Sequence, residues 1–145
     1  MFHRYDYEAE FYPDLSRLPL DLRRKLDVTG VKLGLKDWLA LSFEERSVLC
    51  HLPCDNAEEC QVFANYLDFL SHKYRNEPIS RIAPSDPALW SELSVPHAVR
   101  ERSDAVTVDR WRGWPSHDRY ALYKTATSKS QPDAFELVLK QLSGN

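Results

Sequence analysis

Two stretches of this sequence repeat one another, and a chain built from two copies of a unit has to bury both copies in much the same way. Leu18–Asp27 (LPLDLRRKLD) lies over Val95–Asp104 (VPHAVRERSD), so that Pro19 meets Pro96, Leu22 meets Val99, Arg23 meets Arg100 and Asp27 meets Asp104. Leu33–Leu49 then lies over Val106–Leu122, with Trp38 on Trp111, Arg46 on Arg119 and Leu49 on Leu122. The first copy carries four extra residues around Val28 to Val31. The second register continues until Val62, Tyr66 and Phe69 fall over Phe135, Leu139 and Leu142, the i, i+4, i+7 spacing of a helical stripe.

Each copy reads as three helical pieces. The first opens at its proline, whose missing N–H costs nothing at the first helical position, and in the first copy it ends at Gly30. The following VKLGL alternates apolar and polar residues and is either an extended connector or one short strand. Ser42-Phe-Glu-Glu45 is a capping box, which predicts a helix from Phe43 to about His51. Pro53 stops that helix, Asp55 or Asn56 caps the next, and Glu58 and Glu59 favour its positive end, so a long helix is expected from about Ala57 to Tyr74. In the second copy Ser130 is the expected cap, Pro132 lies in the first turn, and the helix reaches Leu142. Pro78, Pro84 and Pro87 break the segment between the copies, where SDPALW has room for one short helix.

The expectation is one all-α domain over residues 1–145, with repeat 1 at about 15–75, a proline-rich connector at about 76–94 and repeat 2 at about 95–143. Neither unit is large enough for a good core alone, so the two are expected to pack about an approximate twofold axis. A chain of 145 residues with 43% hydrophobic content buries enough surface to fold without a disulfide or metal staple.

Composition narrows function further. A formal net charge of −3 argues against nucleic acid, since phosphate binding needs a positive field. No apolar run approaches the roughly 20 residues of a membrane span, and MFHRYDYEAEF lacks the pattern of a secretory leader, so a soluble cytoplasmic protein is expected. The five histidines have no HExxH spacing, and there is neither a glycine-rich phosphate loop nor a GxSxG elbow, so no familiar catalytic constellation supports an enzyme.

Tyr5-Asp-Tyr-Glu-Ala-Glu-Phe11, the run Leu18 to Asp27, Gly30-Val-Lys-Leu-Gly-Leu35, Trp38, Glu45-Arg46, Leu52-Pro-Cys54 and Asp118-Arg-Tyr-Ala-Leu-Tyr-Lys124 together resemble the nitrate reductase-associated protein family. The resemblance is most specific from Pro19 to Leu35 and weakest from Asn76 to Ser94. It implies a small bacterial protein whose genes lie near those of assimilatory nitrate reductase and molybdopterin synthesis. No reaction is implied, and no cofactor. The expected role is a non-catalytic accessory protein of nitrate assimilation that contacts nitrate reductase or molybdenum-cofactor proteins.

Candidate contact or ligand residues are the matched pairs Trp38/Trp111, Arg46/Arg119 and Arg23/Arg100. In the simpler account the tryptophans fill the core, and each arginine ties down a loop carbonyl or carboxylate, with Asp27 and Asp104 as plausible partners. In the sharper account symmetry brings Arg46 and Arg119 to one cleft, where they hold an anion such as nitrate or a molybdopterin phosphate by bidentate contacts. The run Arg23-Arg24-Lys25 reads as a solvated helix face with local ion pairs. The five aromatics among the first twelve residues are expected to dock as an arm across the body.

Cys50, His51, Cys54 and Cys60 fall within eleven residues and form the alternative metal or thiol site. The Cys-x3-Cys-x5-Cys spacing lacks the second half of a structural zinc site, and neighbouring helical residues point about 100° apart. Buried cysteines acting as small apolar groups are the expected outcome, with no metal and no structural disulfide.

Overall fold

Prolines, one glycine and three side-chain caps set most helix boundaries in the computed structural model, which describes residues 1–144. The chain divides into two compact units, Met1–Arg4 with Glu8–Ser85, and Tyr5–Tyr7 with the residues from Asp86 onward.

In the first unit, α1 spans Leu20–Thr29 behind Pro19, one residue later than expected because the proline occupies the N-cap. Pro19 has no side-chain acceptor to offer, and the Glu8 carboxylate takes its place, accepting from the Leu20 N–H at 2.9 and 3.1 Å. Gly30 stops α1 at φ 73°, its N–H donating to the Leu26 carbonyl at 2.9 Å. A Cβ there would sit 2.5 Å from the Ile82 carbonyl, so both the left-handed backbone and the close approach require glycine. Val31–Lys32 forms β1, which pairs antiparallel with β2 (Ser80–Arg81), Val31 opposite Arg81.

Helix α2 is Leu35–Ala40, and α3 is Phe43–His51 with the Ser42–Glu45 capping box formed in both directions. Helix α4 runs Ala57–Arg75, capped by the Asn56 side chain and ended at Asn76 in the left-handed conformation. Leu22, Leu26, Trp38, Leu49, Phe63, Leu67 and Leu70 form the centre of this unit's core. Full burial of each such side chain contributes about 1.5–3 kcal/mol.

The second unit holds α5 (Ala88–Ser91), α6 (His97–Arg102), α7 (Val108–Gly113), α8 (Ser116–Thr127) and α9 (Ala134–Leu142). Pro96 and Pro115 stand at the N-caps of α6 and α8, and the Thr107 hydroxyl caps α7. Val99, Trp111, Tyr120, Leu122, Phe135 and Val138 are buried, and Trp90 meets Tyr120 edge-on with ring centroids 5.0 Å apart. Tyr5 is buried here too, its hydroxyl 3.1 Å from both the His117 carbonyl and an Asp118 carboxylate oxygen.

The fold is thus mainly all-α, with nine α-helices and one two-stranded pair among the described residues. Several local expectations need correction. Residues 15–75 and 95–143 each contain four helices, not the expected three, because the tryptophan segment forms a separate six-residue helix in both. Val62 and Phe69 are 55% and 60% exposed; the buried face of α4 is Phe63, Leu67 and Leu70, an equally regular i, i+4, i+7 stripe one residue on. Periodicity cannot choose between two such stripes on an apolar helix. Asp133, not Ser130, stands at the N-cap of α9. Arg24 and Lys25 are buried, and only Arg23 of that run faces solvent. The proline-rich connector is pinned in its first half, where Ile82 and Ser85 donate to the Gly30 and Asp27 carbonyls at 2.8 and 2.9 Å.

Candidate functional site

A six-residue helix exposes a high fraction of unpaired carbonyls, since its last four have no partner inside it. At α2 one side chain anchors the helix and a second meets its end carbonyls. The wholly buried Trp38 donates its indole N–H to the Leu15 carbonyl at 2.7 Å, and Leu15 is held there at φ 51°. Arg46, one turn into α3, reaches back across the end of α2. Its Nε donates to the Trp38 carbonyl at 3.1 Å and its Nη2 to Leu39 and Leu41 at 3.0 Å each, while Nη1 donates to Asp14 at 3.1 Å and Leu15 at 3.5 Å. A positive charge at a helix C-terminus also complements the helix dipole.

The same device serves α7. Trp111 donates to the Glu92 carbonyl at 2.8 Å, and Arg119 Nε donates to Trp111 at 3.0 Å and Trp114 at 2.9 Å. Arg119 Nη1 donates to Ser91 at 3.2 Å and Nη2 to Arg112 at 3.3 Å. Trp38 and Arg46 therefore meet in one unit, and Trp111 and Arg119 in the other. Both arginines bind main-chain carbonyls, one of the two kinds of acceptor expected, and neither donates to the carboxylates of Asp27 or Asp104 in the bonds described. An anion at either guanidinium would have to displace those carbonyls. Arg23 and Arg100 are exposed on α1 and α6.

The cysteine segment separates into one isolated thiol and one pair. Cys50 is buried in the core, and burial pushes its thiol up to about 12. Cys54, also buried, lies with its sulfur 2.8 Å from that of Cys60, which is partly open to solvent. Burial and then the Cys60 contact raise the Cys54 thiol above its ordinary range. His51 donates from Nδ1 to the Ser47 carbonyl at 2.8 Å and sits edge-on to Phe2. Among the described residues no three His, Cys, Asp or Glu side chains are placed to hold a metal ion.

Two buried charge clusters escaped the sequence reading. Lys25 is fully buried, its Nζ 2.6 Å from the Cys50 carbonyl and 3.3 Å from those of Leu49 and Met1, so it caps α3 with its charge. Asp21 lies 3.9 Å away and also receives Arg24 Nε at 2.8 Å and the His3 N–H at 3.0 Å. Burial lowers the Lys25 pKa below the usual lysine range. The available signal was the pairing of Asp21 with residues three and four positions on, next to buried leucines.

Glu8 and Glu45 are opposites. Burial pushes the Glu8 carboxyl up to about 7, against the pull of hydrogen bonds from Tyr12 and Leu20. At Glu45 burial also disfavours charge, but hydrogen bonds from Lys73, Tyr74 and Ser42 outweigh it and hold the carboxyl down at about 2. Beside this cluster Leu41, Leu67 and Leu70 floor a hollow of about 30 Å³, rimmed by Asp37, Tyr74 and Arg75. That volume admits a water or two.

Residues 4–142 match the model of a family described as conserved nitrate reductase-associated protein. The chain belongs to that family. The residues that match the nitrate reductase-associated family include both tryptophan–arginine clasps, Asp21, Arg24 and Lys25, and all three cysteines. No curated protein matches the chain. No solved structure matches it either. Among the described residues no helix is long and apolar enough to cross a membrane.

Proposed function

We propose that this chain is a non-catalytic accessory protein of nitrate assimilation, acting by contact with nitrate reductase or with the proteins that supply its molybdenum cofactor. The observation that carries this reading is the family match over nearly the whole chain. A contact role also suits the side chains described. The matched arginines are engaged with main-chain carbonyls, while α4 presents Val62 and Phe69 to solvent with Tyr66 stacked on Phe69 at 6.3 Å. Exposed apolar rows of this kind are common at protein contacts.

Capture of the tagged protein from its host, grown on nitrate and separately on ammonium, tests the reading when the co-purifying proteins are quantified by mass spectrometry. Enrichment of nitrate reductase or a molybdenum-cofactor protein under nitrate is the expected result. Equal recovery of background proteins under both conditions would remove the accessory role.

We also infer that the two halves descend from a duplicated segment. What supports this is the correspondence of the clasps, in which Trp38 and Arg46 engage Leu15, Asp14 and Trp38 carbonyls as Trp111 and Arg119 engage those of Glu92, Ser91 and Trp111.

A further inference from the structure

The pair Cys54 and Cys60 stands apart from everything the accessory role uses, and the inference below does not rest on that role. Cys54 follows Pro53 in the turn between α3 and α4, and Cys60 lies in the first turn of α4. Their sulfurs are 2.8 Å apart, so a disulfide of about 2.05 Å needs an approach of only about 0.8 Å. The turn is held for this meeting. The Asn56 side chain accepts from the Glu59 N–H at 2.9 Å, the Asp55 N–H donates to Glu59 at 2.9 Å, and Arg24 lies 3.6 Å from Asp55.

The two thiols differ in a way that orders a reaction. Cys60 is partly exposed in the first turn of α4, where a small disulfide can reach its sulfur. Cys54 is only 3% exposed and sits behind it, its thiol pushed up by burial and by the Cys60 contact, so it is the less ready of the two to attack first. Cys50 is wholly buried in the core on α3. The arrangement has an accessible attacking sulfur and a sheltered resolving one.

We propose that Cys54 and Cys60 form a reversible dithiol/disulfide site that reacts with low-molecular-weight disulfides. The Cys60 thiolate attacks one sulfur of RS–SR, forming Cys60–S–SR and releasing RS⁻, which takes up the proton Cys60 gave up. The Cys54 sulfur then attacks the Cys60 sulfur and breaks the mixed bond, its proton passing to the departing RS⁻ so that the second RSH leaves. The two protein thiols lose two electrons and two protons, and one RSSR becomes two RSH. A thiol in excess runs the sequence backwards.

The test treats the folded full-length chain with oxidised glutathione, quenches by alkylation, and counts thiols by mass spectrometry. The wild type is expected to fall from three alkylatable thiols to one after denaturation, with peptide mapping linking Cys54 to Cys60 and leaving Cys50 free. Excess reduced glutathione should restore all three. Cys54→Ser should stop at one stable glutathione adduct on Cys60, and Cys60→Ser should give neither adduct nor bridge. The proposal is overturned if the wild type keeps three thiols, if the mixed disulfide on Cys60 persists without bridging, or if the bridge includes Cys50. Because the wild-type map alone decides, misfolding of a variant cannot rescue the idea.

Discussion

Replacing Arg46 by alanine removes five donor contacts to carbonyls of Asp14, Leu15, Trp38, Leu39 and Leu41 at once. The side chain is half-buried, so water replaces part of what is lost, and the Leu15 carbonyl keeps the Trp38 indole. Taking about three contacts as unreplaced, at about 0.5–1.5 kcal/mol each, gives a loss of about 1.5–4.5 kcal/mol. At about 3 °C per kcal/mol for a chain of this size, that lowers the melting temperature by roughly 5–14 °C. Lysine keeps the charge but not the planar fork, and a single ammonium reaches only part of the carbonyl set, so Arg46→Lys should lose about half as much. Thermal melts followed by circular dichroism, with and without millimolar nitrate or phosphate, make the comparison. An Arg46→Ala variant melting within a degree of wild type would refute the clasp. So would anion-dependent stabilisation that wild type shows and Arg46→Ala lacks, because the donors would then serve an anion in preference to the carbonyls.

Other perturbations test the same architecture. Gly30→Ala combines a left-handed φ with a Cβ 2.5 Å from the Ile82 carbonyl, and should cost about 2–4 kcal/mol in urea unfolding; a cost under 1 kcal/mol would mean that the strand pair yields easily. The folded Glu8 pKa, about 7, lies above its ordinary 4.5, so its stabilising contribution is complete below pH 4.5 and is lost as pH rises through 7. Up to about 3 kcal/mol of stability should disappear across that window, and Glu8→Gln should flatten it in urea titrations at stepped pH. Glu45 has the opposite sign: its pKa of about 2 lies below 4.5, so its contribution is present above pH 4.5 and lost as pH falls toward 2. Glu45→Gln should therefore reduce acid sensitivity, and by weakening the hydrogen bonds from Lys73 and Tyr74 it should lower neutral-pH stability by about 1 kcal/mol.

The parts of the fold that were legible in the sequence are those fixed by neighbours. The Ser42–Glu45 box, the Gly30 stop and the Asn56 cap each involve groups within four residues, and helices start or end where they indicate. The tryptophan–arginine pairing was legible as a spacing and a loop carbonyl was among the acceptors expected, but which carbonyls was not legible, because a main-chain carbonyl has no letter in the sequence. Partners far along the chain hid the rest. Val31–Lys32 finds its strand partner inside a proline-rich stretch, and Glu8 caps a helix that begins twelve residues later. The phase of α4 depended on which of two apolar stripes the remaining helices covered, a matter of packing that periodicity does not encode.

The sealed ammonium of Lys25 sets an order in time. Its carbonyl partners are Met1, Leu49 and Cys50, so a ribosome releases the first partner and the lysine itself well before the other two. Until residue 50 has left the exit tunnel, this side chain has to remain hydrated, and α1 cannot settle into its final surroundings. The amine becomes closed to acylating reagents only after α3 arrives. Pulse labelling of nascent chains with such a reagent would read the arrival directly, as the length at which Lys25 stops reacting.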